Sequence, residues 1–115
     1  MSYIDGMVCS VPTAEKAAYL THAKIAAQVF KECGALRSMD AWGEDVPEGK
    51  VTDFHRAVQA KPGETVLFGW IEWPDKATRD AGMAKAMQDE RLTNLNMPFD
   101  GQRAIFGGFE SLYEA

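Results

Sequence analysis

The segment Thr65-Val66-Leu67-Phe68-Gly69-Trp70-Ile71-Glu72-Trp73 restricts the fold more than any other part of the chain. It is rich in β-branched and aromatic residues and stays apolar on both faces until Glu72, the pattern of a strand covered on two sides. Lys61-Pro62-Gly63-Glu64 turns the chain ahead of it, and Pro74 stops it. One cover is expected from helices. The other has to come from a partner or a ligand.

The flanking segments supply the helices and the remaining strands. Tyr3 to Val11 reads as extended, with Ile4, Val8 and Ser10 on one side and Tyr3, Asp5, Met7, Cys9 and Val11 on the other. Pro12 punctuates, Thr13 is expected as an N-cap, and Glu15 places negative charge in the first helical turn. Ala14 to Cys33 favours helix, with stripes at Leu20, Ala23, Ala27, Phe30 and at Ala18, His22, Ile25, Val29. Gly34 supplies its left-handed stop. Ala35 to Val46 returns as a strand carrying Leu36, Met39 and Trp42, and ends in an acidic turn through Gly49. Val51 to Val58 is expected as a short extended piece. Asp75 caps a second helix running to about Asp89, with Ala77, Ala81, Ala84 and Met87 expected inside. After a loop from Thr93 to Gly101, Gln102 to Tyr113 is expected as the last strand, its Gly107-Gly108 pair marking a bulge or a close backbone approach.

The order β-α-β-β-α-β is the split-βαβ arrangement of an α+β, ferredoxin-like domain spanning residues 1–115. Right-handed crossovers put both helices on one face of a four-stranded antiparallel sheet. Met7, Trp70, Phe68, Phe106 and Leu36 are the expected residues of the open face. So apolar a face exceeds the few hundred Å² that soluble monomers usually expose. A homodimer packing sheet on sheet is the expected remedy.

Composition excludes several function classes. At 115 residues one core is expected. A net charge of −5 and scattered basic residues argue against nucleic acid. No apolar run is long enough to cross a membrane, and the start of the chain lacks the basic and apolar runs of an export signal, so a cytoplasmic location is expected. Cys9 and Cys33 fit no metal or redox spacing and read as reduced, half-buried small hydrophobes. Glu44, Asp45 and Glu48 read as a solvated turn rather than a calcium site. No phosphate loop or dinucleotide fingerprint is present, and no cofactor or metal is expected.

Several residues are candidates for chemistry. Asp53 and His55 share a face if their segment is extended, so that the carboxylate could orient the imidazole as a base; polar pairs facing water on an edge look the same. His22 lies in an apolar helical stripe and matters only if its ring faces a cavity. Arg79, Asp80 and Arg103 could hold an anion through guanidinium forks, or form surface ion pairs. Trp42, Trp70 and Trp73, with Phe68 and Phe106, could line a pocket for a flat organic molecule, or form core and interface.

Three segments give a resemblance: Gly43-Glu44-Asp45-Val46-Pro47-Glu48-Gly49-Lys50-Val51-Thr52, Val66 to Ile71, and Met97-Pro98-Phe99-Asp100-Gly101-Gln102-Arg103 running into Gly107-Gly108-Phe109-Glu110. With Arg79-Asp80 and Tyr3-Ile4-Asp5-Gly6, they resemble the YbaA-like family of small bacterial proteins, domain of unknown function DUF1428, over nearly the whole chain. The resemblance implies a ferredoxin-like fold of the dimeric α/β-barrel group and supplies no activity. The expectation is a homodimer that binds a small apolar or aromatic metabolite between helices and sheet. Two alternatives stand beside it: a cofactor-independent monooxygenase- or isomerase-like enzyme, by fold analogy, and a structural or regulatory dimer whose partner is another protein. Haem degradation would want an asparagine in the first strand, which is absent.

Overall fold

The computed structural model describes residues 2–115. β1 (Tyr3–Pro12) and β3 (Glu64–Trp73) form its spine, antiparallel over their whole length from Tyr3 opposite Trp73 to Pro12 opposite Glu64. β2 (Arg37–Trp42) pairs with the outer edge of β3, setting Trp42 against Leu67. β4 (Ile105–Glu110) pairs with the other edge of β1, setting Met7 against Phe106. The resulting sheet is four-stranded in the order β2-β3-β1-β4, the ferredoxin-like order with both long strands central.

Alternation assigns the faces. Asp5, Cys9, Leu67 and Trp73 share one face through the pairings of β1 with β3. Tyr19 of α1 (Lys16–Glu32) packs on Cys9 and Leu67, and Arg79 of α3 (Lys76–Ala86) reaches Asp5. Both long helices therefore cover that face, as the element order predicts. The core there comprises Cys9, Val11, Tyr19 and Leu67, flanked by Met7 and Trp42. The opposite face is covered at one end only, where Val58 packs on Val8 and Val66.

Several local expectations give way to tertiary contacts. Thr13 caps no helix; a 3₁₀ turn at Thr13–Glu15 precedes α1, and the Thr13 hydroxyl lies 2.7 Å from that of Thr65. The buried side of α1 is Tyr19 and Val29, while Leu20 is 54% exposed. Residues expected to be extended at 51–58 instead contain the helical turn α2 (Phe54–Ala57). Its N-cap is Asp53, whose carboxylate accepts from the Arg56 N–H at 2.7 Å.

Asp75 does cap α3, accepting from the Thr78 N–H at 2.7 Å. Yet Ala77, Ala81 and Ala84 face solvent, Met87 is half-exposed at the edge of the helix–sheet space, and Gly82 and Ala86 are the buried pair. A Cβ at Gly82 would stand 2.5 Å from the Trp73 ring, so helix and sheet meet closer than any side chain allows. The short α4 (Glu90–Thr93) follows, and β4 is shorter than the strand expected there. Gly34 and Gly63 adopt the left-handed φ values of +116° and +82° that their turns require. Register also moves Met7 and Phe106 to the helix-covered face; the open face carries Ile4, Phe68, Trp70 and Phe109.

Candidate functional site

A cavity of about 480 Å³ separates the helices from the sheet. Its floor is laid by Asp5 and Met7 of β1, Ser38 and Asp40 of β2, and Gly69 and Ile71 of β3. Its roof is laid by Tyr19, His22, Ala23 and Ala26 of α1, with Arg79 and Met83 of α3. Small residues create the space. Alanines keep the α1 surface low, and Gly69 lets Asp40 Oδ1 and Met7 Cε close in over the floor, where a Cβ would stand 3.2 Å and 3.5 Å from them. Five of the chain's six methionines, Met7, Met39, Met83, Met87 and Met97, line it. Such unbranched thioether walls adapt to the shape of what they touch.

The polar groups of the cavity fall into two sets. At one side the Tyr19 hydroxyl donates to Asp40 Oδ1 at 2.7 Å. Burial first, and then the bond to Asp40, push the phenol far above its usual range, so it stays protonated. The thiol of Cys9 beneath it is pushed up to about 12 by burial and by the Asp40 charge, and is no nucleophile at neutral pH. His22 lies one turn along α1 from Tyr19, the two ring centres 5.5 Å apart, with Phe99 edge-on to the imidazole at 5.8 Å. Its Nδ1 is buried without a hydrogen-bond partner among the described residues. Burial lowers the imidazole pKa against a smaller opposing pull from Asp40, which favours the neutral ring.

At the other side Arg79 and Asp5 form a two-point ion pair. Nη2 donates to Oδ1 at 2.8 Å and Nε to Oδ2 at 3.1 Å, while the indole Nε1 of Trp73 donates to the same Oδ2 at 2.9 Å. Arg79 also donates to Asp80 at 2.9 Å. Its guanidinium is therefore engaged by carboxylates from two elements, not free to hold an anion.

The residues singled out in the sequence lie in separate places. His22 is in the cavity. Trp70 borders the cavity and projects on the open face, where Arg37 stacks on its ring at 4.8 Å. Trp42 packs into the core around Cys9 and Tyr19, beneath the ammonium group of Lys16. Arg103 is spent on Glu64, with Nη1–Oε1 2.7 Å and Nη2–Oε2 2.8 Å, and on Asp100 and the Gln59 carbonyl. Asp53 closes the 49–56 loop, accepting from the Gly49 and Arg56 N–H groups, and shares no hydrogen bond with His55. That loop caps the open face through Phe54, whose ring meets Phe68 edge-on at 6.4 Å. Tyr19 and Asp40 escaped the sequence reading. Spacing along α1 places Tyr19 one turn before His22, and period-two alternation through Ser38, Asp40 and Trp42 would have pointed Asp40 inward.

The opposite face holds a shallow hollow of about 680 Å³ among Ile4, Val8, Phe68, Trp70, Ile105 and Phe109. Phe68 and Ile105 are each 46% exposed and Phe109 is 60% exposed, a large apolar area left to solvent. Among the described residues no group of three or more His, Cys, Asp or Glu side chains could hold a metal ion, and no helix is long and apolar enough to cross a membrane.

Sheet order and helix placement define an α+β protein of the ferredoxin-like class. A dimeric ferredoxin-like protein from an uncultured marine organism superposes with a TM-score of 0.62 at 12% identity, covering 99% of this chain and 98% of that one. The family is narrower still: residues 2–101 match the model of the family described as protein of unknown function (DUF1428), to which the chain belongs. The uncharacterized protein YbaA of Escherichia coli K12 is 52% identical, with 99% of each chain covered, and YbaA of Shigella flexneri is equally similar.

Proposed function

We propose that the protein is a homodimer whose helix–sheet cavity binds a small, largely apolar organic molecule. The observation that carries the reading is the cavity: about 480 Å³, walled by methionine and aromatic side chains, with few polar groups. This is the size and composition of small-molecule sites. The dimer reading rests on the exposed Phe68, Ile105 and Phe109 of the open face, which a second copy would bury. The marine ferredoxin-like protein, itself described as dimeric, supports the same assembly.

The test is native mass spectrometry combined with thermal unfolding in 2-naphthol, a flat neutral probe. The expected result is a dimer mass and an upward shift of Tm; at ten times Kd, binding stabilises by about 1.4 kcal/mol. Replacing Gly69 by Val should remove the shift while the dimer persists. Replacing Phe68 by Glu should yield monomers. A monomer mass for the unaltered protein at micromolar concentration defeats the dimer; a Tm indifferent to the probe defeats the cavity.

A second reading, a cofactor-independent enzyme, draws on one observation, the imidazole of His22 beside the Tyr19–Asp40 hydrogen bond in the cavity wall. It requires that His22→Ala abolish turnover of a bound substrate without loss of folding or dimerisation. Retained turnover in that variant ends it.

A further inference from the structure

Resting on the cavity reading above, we infer that the ligand is uncharged or cationic, an aromatic or alicyclic body carrying a hydroxyl or amino group that donates to Asp40. Five titratable side chains line the space: Asp5, Tyr19, His22, Asp40 and Arg79. Arg79 and Asp5 neutralise one another through their two-point pair. Tyr19 is a protonated phenol already donating to Asp40. His22 is half-buried with Nδ1 unpartnered, a setting that disfavours the imidazolium. What remains is the carboxylate of Asp40.

That carboxylate has unused capacity. Oδ1 accepts from Tyr19, whereas Oδ2 accepts no hydrogen bond, and Asp40 joins no ion pair, among the described residues. The residue is exposed where the cavity opens, with Oδ1 packed over Gly69. An entering molecule therefore meets an apolar chamber with one free anionic acceptor at its rim. A carboxylate or phosphate ligand would be repelled there, and no uncommitted Lys or Arg lines the wall to receive it. A donor head on a flat ring meets the opposite conditions: Asp40 takes the donor, and Met83, Met97 and Phe99 take the ring.

Three naphthalenes with one ring system and different heads test the inference: 2-naphthylmethylamine, 2-naphthol and 2-naphthoic acid, titrated calorimetrically at pH 7. The amine and the naphthol should each bind at least ~tenfold more tightly than the acid. Asp40→Asn keeps an acceptor for Tyr19 and should level the three affinities. Glu44→Gln changes net charge equally in the exposed acidic turn and should leave the order intact. Equal affinities, tightest binding by the acid, or a preference that survives Asp40→Asn would each overturn the inference while the cavity stands. Binding by none of the three removes the cavity reading, and this inference with it. An Asp40→Asn chain that fails to fold is replaced by a salt titration of the unaltered protein. The amine's advantage over naphthol should then shrink from 50 mM to 500 mM NaCl, and an advantage indifferent to salt counts against Asp40.

Discussion

Arg79 of α3 closes its guanidinium onto both carboxylate oxygens of Asp5 in β1, with Nη2 2.8 Å from Oδ1 and Nε 3.1 Å from Oδ2. Both side chains are largely buried, and the guanidinium also lies 5.1 Å over the Tyr3 ring. The pair ties the second long helix to the central strand and forms one end of the cavity.

Removing one partner leaves the other buried without its charge. Asp5→Ala should cost about 3 kcal/mol, because the Trp73 indole loses its acceptor and Arg79 keeps only the more exposed Asp80. Asp80→Ala, which strips a more exposed neighbour from the same guanidinium, should cost under about 1 kcal/mol. Urea unfolding of the two variants measures the contrast. Equal costs would mean that the Asp5 contact holds nothing together.

Gly108 is the second requirement of that pair. A Cβ there would stand 2.5 Å from the Tyr3 hydroxyl and 2.8 Å from Arg79 Nη2. Gly108→Ala should therefore destabilise by about 1–3 kcal/mol. Gly101→Ala, where the nearest atom is Met97 Cε at 3.8 Å, should change stability by less than about 0.5 kcal/mol. Thermal unfolding of the two alanine variants side by side decides it.

Glu64 and Arg103 give the chain an acid limb. The Arg103 guanidinium, the Lys61 N–H and the Ser10 hydroxyl all act on the Glu64 carboxylate, and hold its pKa at about 2 against an ordinary 4.5. A depressed folded-state pKa stabilises above the unfolded value and loses that contribution as pH falls through the folded one. The loss should run from about pH 5 down to about pH 2 and amount to roughly 2 kcal/mol. In Glu64→Gln the urea midpoint at pH 7 should drop, and its further fall between pH 5 and pH 2.5 should be shallower. A parallel acid limb in the variant would assign the effect to other carboxylates.

How much of this was legible beforehand differs between strand and helix. β3 shows in the sequence because Val66 to Ile71 is apolar in both phases, and β1 because its two sides alternate as the structure has them. The inner face of α3 does not show. Its apolar candidates are three alanines and Met87 at its end, and alanine fits either side of a helix, so Gly82 against Trp73 and Arg79 on Asp5 decide the rotation instead. The segment around Asp53 misled for a related reason. Val51 and Phe54 suggest a strand, but the side chain of Asp53 bonds forward to the Arg56 N–H and starts a helical turn. His22 was visible as a residue. A site between helices and sheet is expected there too, but its lining is not legible, because it depends on Gly69, the α1 alanines and Asp40 meeting across three elements.

His22 separates a residue kept for binding from one kept for packing. Its Nδ1 is buried with no hydrogen-bond partner among the described residues, and an unpaired polar atom in such a place costs about 1–3 kcal/mol. The contacts it does make, to Tyr19 and Phe99, are available to an apolar side chain of similar size. His22→Leu should therefore raise stability by about 1 kcal/mol, and at the same time weaken binding of 2-naphthol by roughly tenfold if the imidazole contacts the ligand. Denaturant unfolding of the free protein and calorimetry with the probe read the two effects separately. A variant that is less stable and binds unchanged would make His22 a packing residue, and the polar burden of the cavity would then fall on Tyr19 and Asp40 alone.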